Sequence, residues 1–217
     1  MAIPFFTGFG NFFKNLWTAC TGADTPRYFT KRGWSKGLAA IPEGAVIVER
    51  GQSWIGGAIR KVTGEWANHI IGYLGNDVTV EAMPNGVGYS KLSEKETDKC
   101  QMIVFVKTDI TAAQVGGISG YLRGAVGKPY AYFKLATEFL IGGDDSSNAT
   151  EFCSEVERRA YASQGITISK DSAQKTSPGE IGVYLIGTGI PGEGWQVFDT
   201  YNITLEDALK TGYDLIK

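Results

Sequence analysis

Glu151-Phe152-Cys153-Ser154-Glu155-Val156-Glu157-Arg158-Arg159-Ala160-Tyr161 sets a cysteine at the point where a helix begins. Asn148 with Glu151 makes an N-x-x-E capping box, and Thr150 is an alternative N-cap, so on either choice Cys153 falls in or beside the first turn. Phe152, Val156 and Ala160 mark the buried stripe, and Gly165 ends the helix. Unpaired N–H groups and the positive end of the helix dipole favour a thiolate there, which is the nucleophilic form of cysteine. The competing role is structural, since a free cysteine also packs as a small hydrophobe.

Composition narrows the field around that thiol. A chain of 217 residues with 43% hydrophobic residues suits one cored domain with an appendage. The net charge of −2 is spread without a long basic or acidic run, so nucleic acid and an anionic membrane are not expected partners. Cys20, Cys100 and Cys153 are odd in number, scattered, and lack CxxC or His/Cys spacing, which argues against a disulfide framework and a zinc site. A free thiol is expected, with no metal and no cofactor. The 29 glycines show no G-X-Y period and proline is scarce, which predicts tight turns and short loops.

The first twenty residues are apolar and aromatic, yet they lack a basic start, carry Pro4, Gly8 and Gly10, and place Lys14 mid-segment. That is wrong for a signal peptide and too short to span a bilayer, so a cytoplasmic site of synthesis and no transmembrane segment are expected. Phe5, Phe9, Phe12, Phe13 and Leu16 recur at helical spacing, followed by Trp17. Such a stripe needs a cover, and with Lys14 as its only basic residue a protein groove or self-association is expected rather than lipid. Residues 1–40 are read as this docking segment plus a connector from Thr21 to Ala40, 41–195 as the main domain opening at Pro42-Glu43-Gly44, and 196–217 as a C-terminal extension.

Within the main domain, Ala45 to Glu49 reads as a buried strand and Ser53 to Val62 as a short amphipathic helix. Trp66 to Leu74 and Val78 to Met83 form a hairpin, followed by strands at Val87 to Leu92 and Met102 to Val106. Thr111-x-x-Gln114 is a capping box for a helix striped by Val115, Ile118, Leu122 and Val126 that stops at Gly127. A second helix is expected from Tyr130 to Ile141, a polar loop at 142–147, a turn at Ser177-Pro178-Gly179, and a last short helix capped by Thr204 and running through Leu209. The fold class is α+β, an antiparallel sheet packed against helices.

The hairpin carries the chain's single histidine, His69. A two-residue loop would put His69 and Glu81 on opposite faces, whereas the three residues Gly75, Asn76 and Asp77 put them on one face. His69 then faces Met83 and is diagonal to Glu81, at roughly 7–8 Å between backbones, within reach of two long side chains. The alternative for Glu81 is a solvated strand residue.

Val48-Glu49-Arg50-Gly51-Gln52-Ser53-Trp54, Asn68-His69-Ile70-Ile71-Gly72-Tyr73-Leu74-Gly75, Val80-Glu81-Ala82, Gly127-Lys128-Pro129-Tyr130 and Phe152-Cys153-Ser154-Glu155, in this order, resemble the circularly permuted NlpC-type papain-like hydrolases, the YiiX-like group. The histidine precedes the cysteine, as in the permuted group. The resemblance spans about residues 42 to 182 and implies a permuted papain-like fold with Cys153 as nucleophile, His69 as base, Glu81 orienting the imidazole, and Tyr130 assisting at the oxyanion. It implies a cysteine hydrolase of amide bonds, in peptidoglycan peptides or a related acyl-amide substrate. Two rivals stand beside it. A permuted lipid acyltransferase or phospholipase would keep the chemistry, although its usual Asn-Cys-Glu-His-Phe surroundings are replaced here by Phe-Cys-Ser-Glu-Val. A structural virion module, such as a phage tail component, would use the fold as a scaffold, and the missing export signal favours virion delivery.

Overall fold

The computed structural model describes residues 33–52, 56–57, 60, 65–130, 153–170, 176–187, 194–204 and 206–207. Six strands form one antiparallel sheet: β1 (Val46–Gly51), β2 (His69–Tyr73), β3 (Val78–Met83), β4 (Gly86–Lys91), β5 (Cys100–Lys107) and β6 (Trp195–Tyr201). Their order across the sheet is β4-β3-β2-β1-β5-β6. Three described α-helices accompany it, α1 (Ala112–Ala125), α2 (Cys153–Ala162) and α3 (Pro178–Gly187), and a short 3-10 helix, Leu92–Lys95, follows β4. The architecture is α+β.

The central strand β1 explains the two layers. Val46 and Val48 point into one core and Ile47 into another, so its near-continuous apolar run is buried on both faces. On the first face, Ile70, Leu74, Val80, Ala82, Ile103 and Phe105 meet Ile118 and Leu122 of α1, Val156 and Ala160 of α2, and Ile181 and Leu185 of α3. On the second, Ile71, Tyr73, Met102 and Val104 meet Ile41, Leu92 and Tyr201, with Trp34, Leu38 and Phe198 packed alongside.

Local sequence accounts for most of these elements. The Thr111 hydroxyl accepts from Gln114 N at 3.2 Å while Gln114 Oε1 accepts from Thr111 N at 3.0 Å, so the expected capping box starts α1. Gly75, Asn76 and Asp77 all adopt positive φ (80°, 51° and 68°) and turn β2 into β3. The pairs Gly72↔Val80 and Tyr73↔Thr79 fix the three-residue loop and hence the register.

Two stretches differ from expectation. Ser177-Pro178-Gly179 does not form a simple turn; it opens α3. Glu180 N donates to Ser177 Oγ at 3.0 Å, Ser177 N donates to Glu180 Oε2 at 2.7 Å, and Pro178 stands at the first helical position, where its missing N–H costs nothing. Strand β6 is unanticipated. Its register shifts between Val104↔Asp199 and Phe105↔Val197, and this bulge disrupts the alternation that would mark it in the sequence. Asp199 accepts hydrogen bonds from Ser35 N (3.1 Å), Ser35 Oγ (2.6 Å) and Lys36 N (2.7 Å), tying the chain before β1 to the last strand. The aromatic stripe of residues 1–20, most of the helix at 53–62, the helix beyond Tyr130, the loop at 142–147 and the caps before Cys153 lie outside the described residues. The C-terminal helix is described only at its start, where Asp207 N donates to Thr204 Oγ1 at 3.0 Å.

Candidate active site

His69 is the first residue of β2 and pairs across with Glu49 of β1. The β2–β3 ladder consists of the two pairs nearest the turn, so beyond Val80 side chains instead of backbone groups bridge the two strands. His69 Nε2 lies 2.8 Å from Glu81 Oε2, and Thr79 Oγ1 donates to the other carboxylate oxygen at 3.0 Å. Glu81 is 1% exposed, so it is not a solvated strand residue. Removing a carboxylate from water this completely requires ionic and hydrogen-bonding partners, and Glu81 has both.

The second partner of the imidazole is Cys153, the first residue of α2. With Nε2 turned to Glu81, Nδ1 is the nitrogen left for the thiol. Burial alone would push His69 down; hydrogen bonds to Cys153 and Glu81, and the charges of both, outweigh it and raise the ring to about 10. Burial would likewise push Glu81 up, but His69 and Lys95 hold it at about 2. The ring is therefore held protonated at neutral pH, between the Glu81 carboxylate and the Cys153 sulfur.

Lys95 was not singled out from the sequence. Its ammonium bridges Glu81 Oε2 (2.8 Å) and Glu49 Oε2 (3.0 Å). The 3-10 helix that carries it is anchored by Asp77 of the β2–β3 turn, whose carboxylate accepts from Ser93 N at 2.7 Å and Ser93 Oγ at 2.6 Å. Glu49 and Glu81 hold the lysine protonated far into the alkaline range, against the pull of its burial. Glu49 ends the apolar run of β1 and is itself buried, a charge where the pattern calls for a hydrophobe. Lys95 had no such signal, because Ser93-Glu94-Lys95-Glu96 carries no apolar periodicity.

Glu49, His69 and Glu81 each offer a ligand atom, and these atoms lie within 4.8 Å of one another. The cation in bonding range of both carboxylates is Lys95, and a divalent ion would have to displace it and detach His69 Nε2 from Glu81. With Lys95 in place, the facing oxygens of both carboxylates and His69 Nε2 are already engaged by the ammonium and by one another.

A cleft of about 490 Å³ adjoins these groups, lined among others by Glu49, Asn68, His69, Met83, Lys95 and Tyr130. Tyr130 thus shares the cleft with His69. Cys153, 4% exposed, is not among its lining residues. Asn68 supports the rim: its Nδ2 donates to Gly51 O at 3.0 Å and its Oδ1 accepts from Gly51 N at 2.8 Å. Of the other described thiol, Cys100, burial and then Glu49 push the pKa far up, leaving it an inert core residue. One turn along α2 from Cys153, Glu157 is buried against Gly72, where an added Cβ would stand 2.5 Å from Glu157 Oε1. Burial pushes Glu157 up to about 8; the nearby His69 charge offsets this and the Glu81 charge adds to it.

No family model matches the chain. No curated protein is similar to it. Among solved structures it is similar to the crystal structure of metalloprotein yiiX from Escherichia coli O157:H7, at 17% identity, covering 77% of this chain and 91% of that one, with a TM-score of 0.47.

Proposed function

We propose that this chain is a thiol hydrolase of amide bonds, with peptidoglycan peptides as its substrate class and a permuted papain-like order in which the histidine precedes the cysteine. The observation that carries the reading is the His69 ring, engaged by the Glu81 carboxylate and by the Cys153 thiol. The proton of the Cys153 thiol resides on His69 before substrate arrives, so the site works as a thiolate–imidazolium pair, with Glu81 holding the ring in place through Nε2. The sulfur attacks the amide carbonyl, and the imidazolium gives its proton to the departing amine. A thioester is left on Cys153. His69 then takes a proton from water, hydroxide adds to the thioester, and the acid product leaves with the thiolate restored. The Cys153 backbone N–H and the Tyr130 hydroxyl are the groups assigned to the developing oxyanion.

The test is to incubate purified sacculi, and separately phospholipid vesicles, with wild type and with Cys153→Ala, and to identify released products by mass. Peptide fragments released from sacculi by wild type alone support the reading. Fatty acid or lysolipid from vesicles would replace it with the lipid acyltransferase or phospholipase alternative. Equal release by both proteins, or loss of wild-type release on adding a chelator, would contradict a thiol mechanism.

A further inference from the structure

We propose that Lys95 is a positioning residue of this site: its ammonium ties Glu81 Oε2 to Glu49 Oε2 and so keeps the Glu81 carboxylate aimed at His69. The inference rests on the thiol-hydrolase reading for its kinetic consequence, but its geometry stands apart from it. Glu81 Oε2 accepts from both His69 Nε2 (2.8 Å) and Lys95 Nζ (2.8 Å), while Lys95 also holds Glu49 at 3.0 Å. Glu81 is 1% exposed with a Glu49 carboxylate oxygen within 4.8 Å, so without the cation between them burial and the like charge would drive a proton onto Glu81. That proton would sit where His69 needs a negative charge.

The groups around Glu81 bear this out. They are His69 of β2, Glu49 of β1, Lys95 of the 3-10 helix, Cys100 of β5, and Cys153 and Glu157 of α2. Two of these are cationic, and His69 is already engaged with Cys153, so Lys95 is the cation available to balance Glu49. The Asp77 carboxylate makes this placement specific by fixing Ser93, two residues before Lys95, to the same turn that sets the His69–Glu81 register.

The experiment compares wild type, Lys95→Arg, Lys95→Met and the double variant Lys95→Met/Glu49→Gln. Two readouts are followed from pH 4 to 8: the ring resonances of His69, the chain's only histidine, and kcat/KM on solubilised peptidoglycan peptides. In wild type the ring signal is expected to stay flat between about pH 4 and 7. In Lys95→Met an inflection should enter that range, and the acidic limb of kcat/KM should move up by about one pH unit or more, as Glu81 loses the cation that holds it ionised and takes up a proton. Lys95→Arg and the double variant should each return both readouts toward wild type. An unchanged ring titration in Lys95→Met, or activity lost uniformly across pH, would overturn the proposal. Should Lys95→Met fail to fold, the charge-balanced double variant decides: recovery supports the proposal, and an equally unfolded double variant means that Lys95 serves only packing. Failure of the hydrolase reading would show as no activity in any variant, while the ring titration still tests the clamp.

Discussion

Glu81 on β3 and Glu157 on α2 are buried to the same extent, each 1% exposed, and both feel the charge of His69, yet they come to rest at opposite ends of the carboxyl range. Glu81 sits at about 2 and Glu157 at about 8. The difference lies in their partners. Glu81 accepts from His69, Lys95 and Thr79, whereas Glu157 Oε2 has no hydrogen-bond partner. Desolvation is common to both, so the directional bonds decide which carboxyl carries charge. The region under β3 is organised around an anion, and the region under α2 holds a neutral acid at the foot of the cysteine helix.

The sharpest way to break this comparison is to remove the groups on the Glu81 side. His69→Ala and Cys153→Ala should each eliminate nearly all turnover, with His69→Ala losing about 10²–10⁴-fold or more, as expected for an essential general base. Retained activity in either variant would detach the imidazole from the chemistry. Glu81→Gln should keep fold and substrate binding and lose part of the rate, because an amide still orients the ring but cannot stabilise its charge. Glu81→Ala should cost about 3–5 kcal/mol of stability in urea melts, since it leaves His69 and Lys95 with a buried partner missing. A loss well under that range would mean that the ion pairs are solvated.

On the α2 side the effects are smaller, and the pH dependence runs in the opposite direction. Gly72→Ala should cost about 1–3 kcal/mol, because the new methyl would collide with Glu157 Oε1 at 2.5 Å and Leu122 Cδ1 at 2.6 Å. Glu157 is raised above its unfolded value of 4.5, so its contribution to stability is whole below about pH 4.5 and is lost as pH rises through about 8. Glu157→Gln should therefore flatten stability over that range and make the protein relatively more stable at pH 9. Glu81 runs the other way: its contribution is present above pH 4.5 and lost as pH falls through about 2. Parallel pH profiles for wild type and Glu157→Gln would erase the contrast.

How far this pair of environments was legible depended on sequence distance. The loop count at Gly75-Asn76-Asp77 sufficed to bring His69 and Glu81 onto one face, because register is a local property of a hairpin. Thr111 and Gln114 marked the start of α1 for the same reason. Ser177-Pro178-Gly179 looked like punctuation because Pro and Gly signal turns, although Ser177 and Glu180 form a capping box around them. Glu157, between Val156 and two arginines, has no local sign of burial; it is buried against Gly72, 85 positions away, which has no side chain to exclude it. Lys95 reaches Glu81 through an Asp77–Ser93 tie that no periodicity reveals.

The central claim is that Cys153 and Glu81 together set the protonation of His69. Because the chain has one histidine, its ring carbons give a single assignable titration by NMR. The account predicts a midpoint near 10 in wild type, and a clear fall in both Cys153→Ser and Glu81→Gln as each favourable partner is lost. A wild-type midpoint at or below the ordinary histidine value of 6.5, unmoved by either substitution, would contradict it.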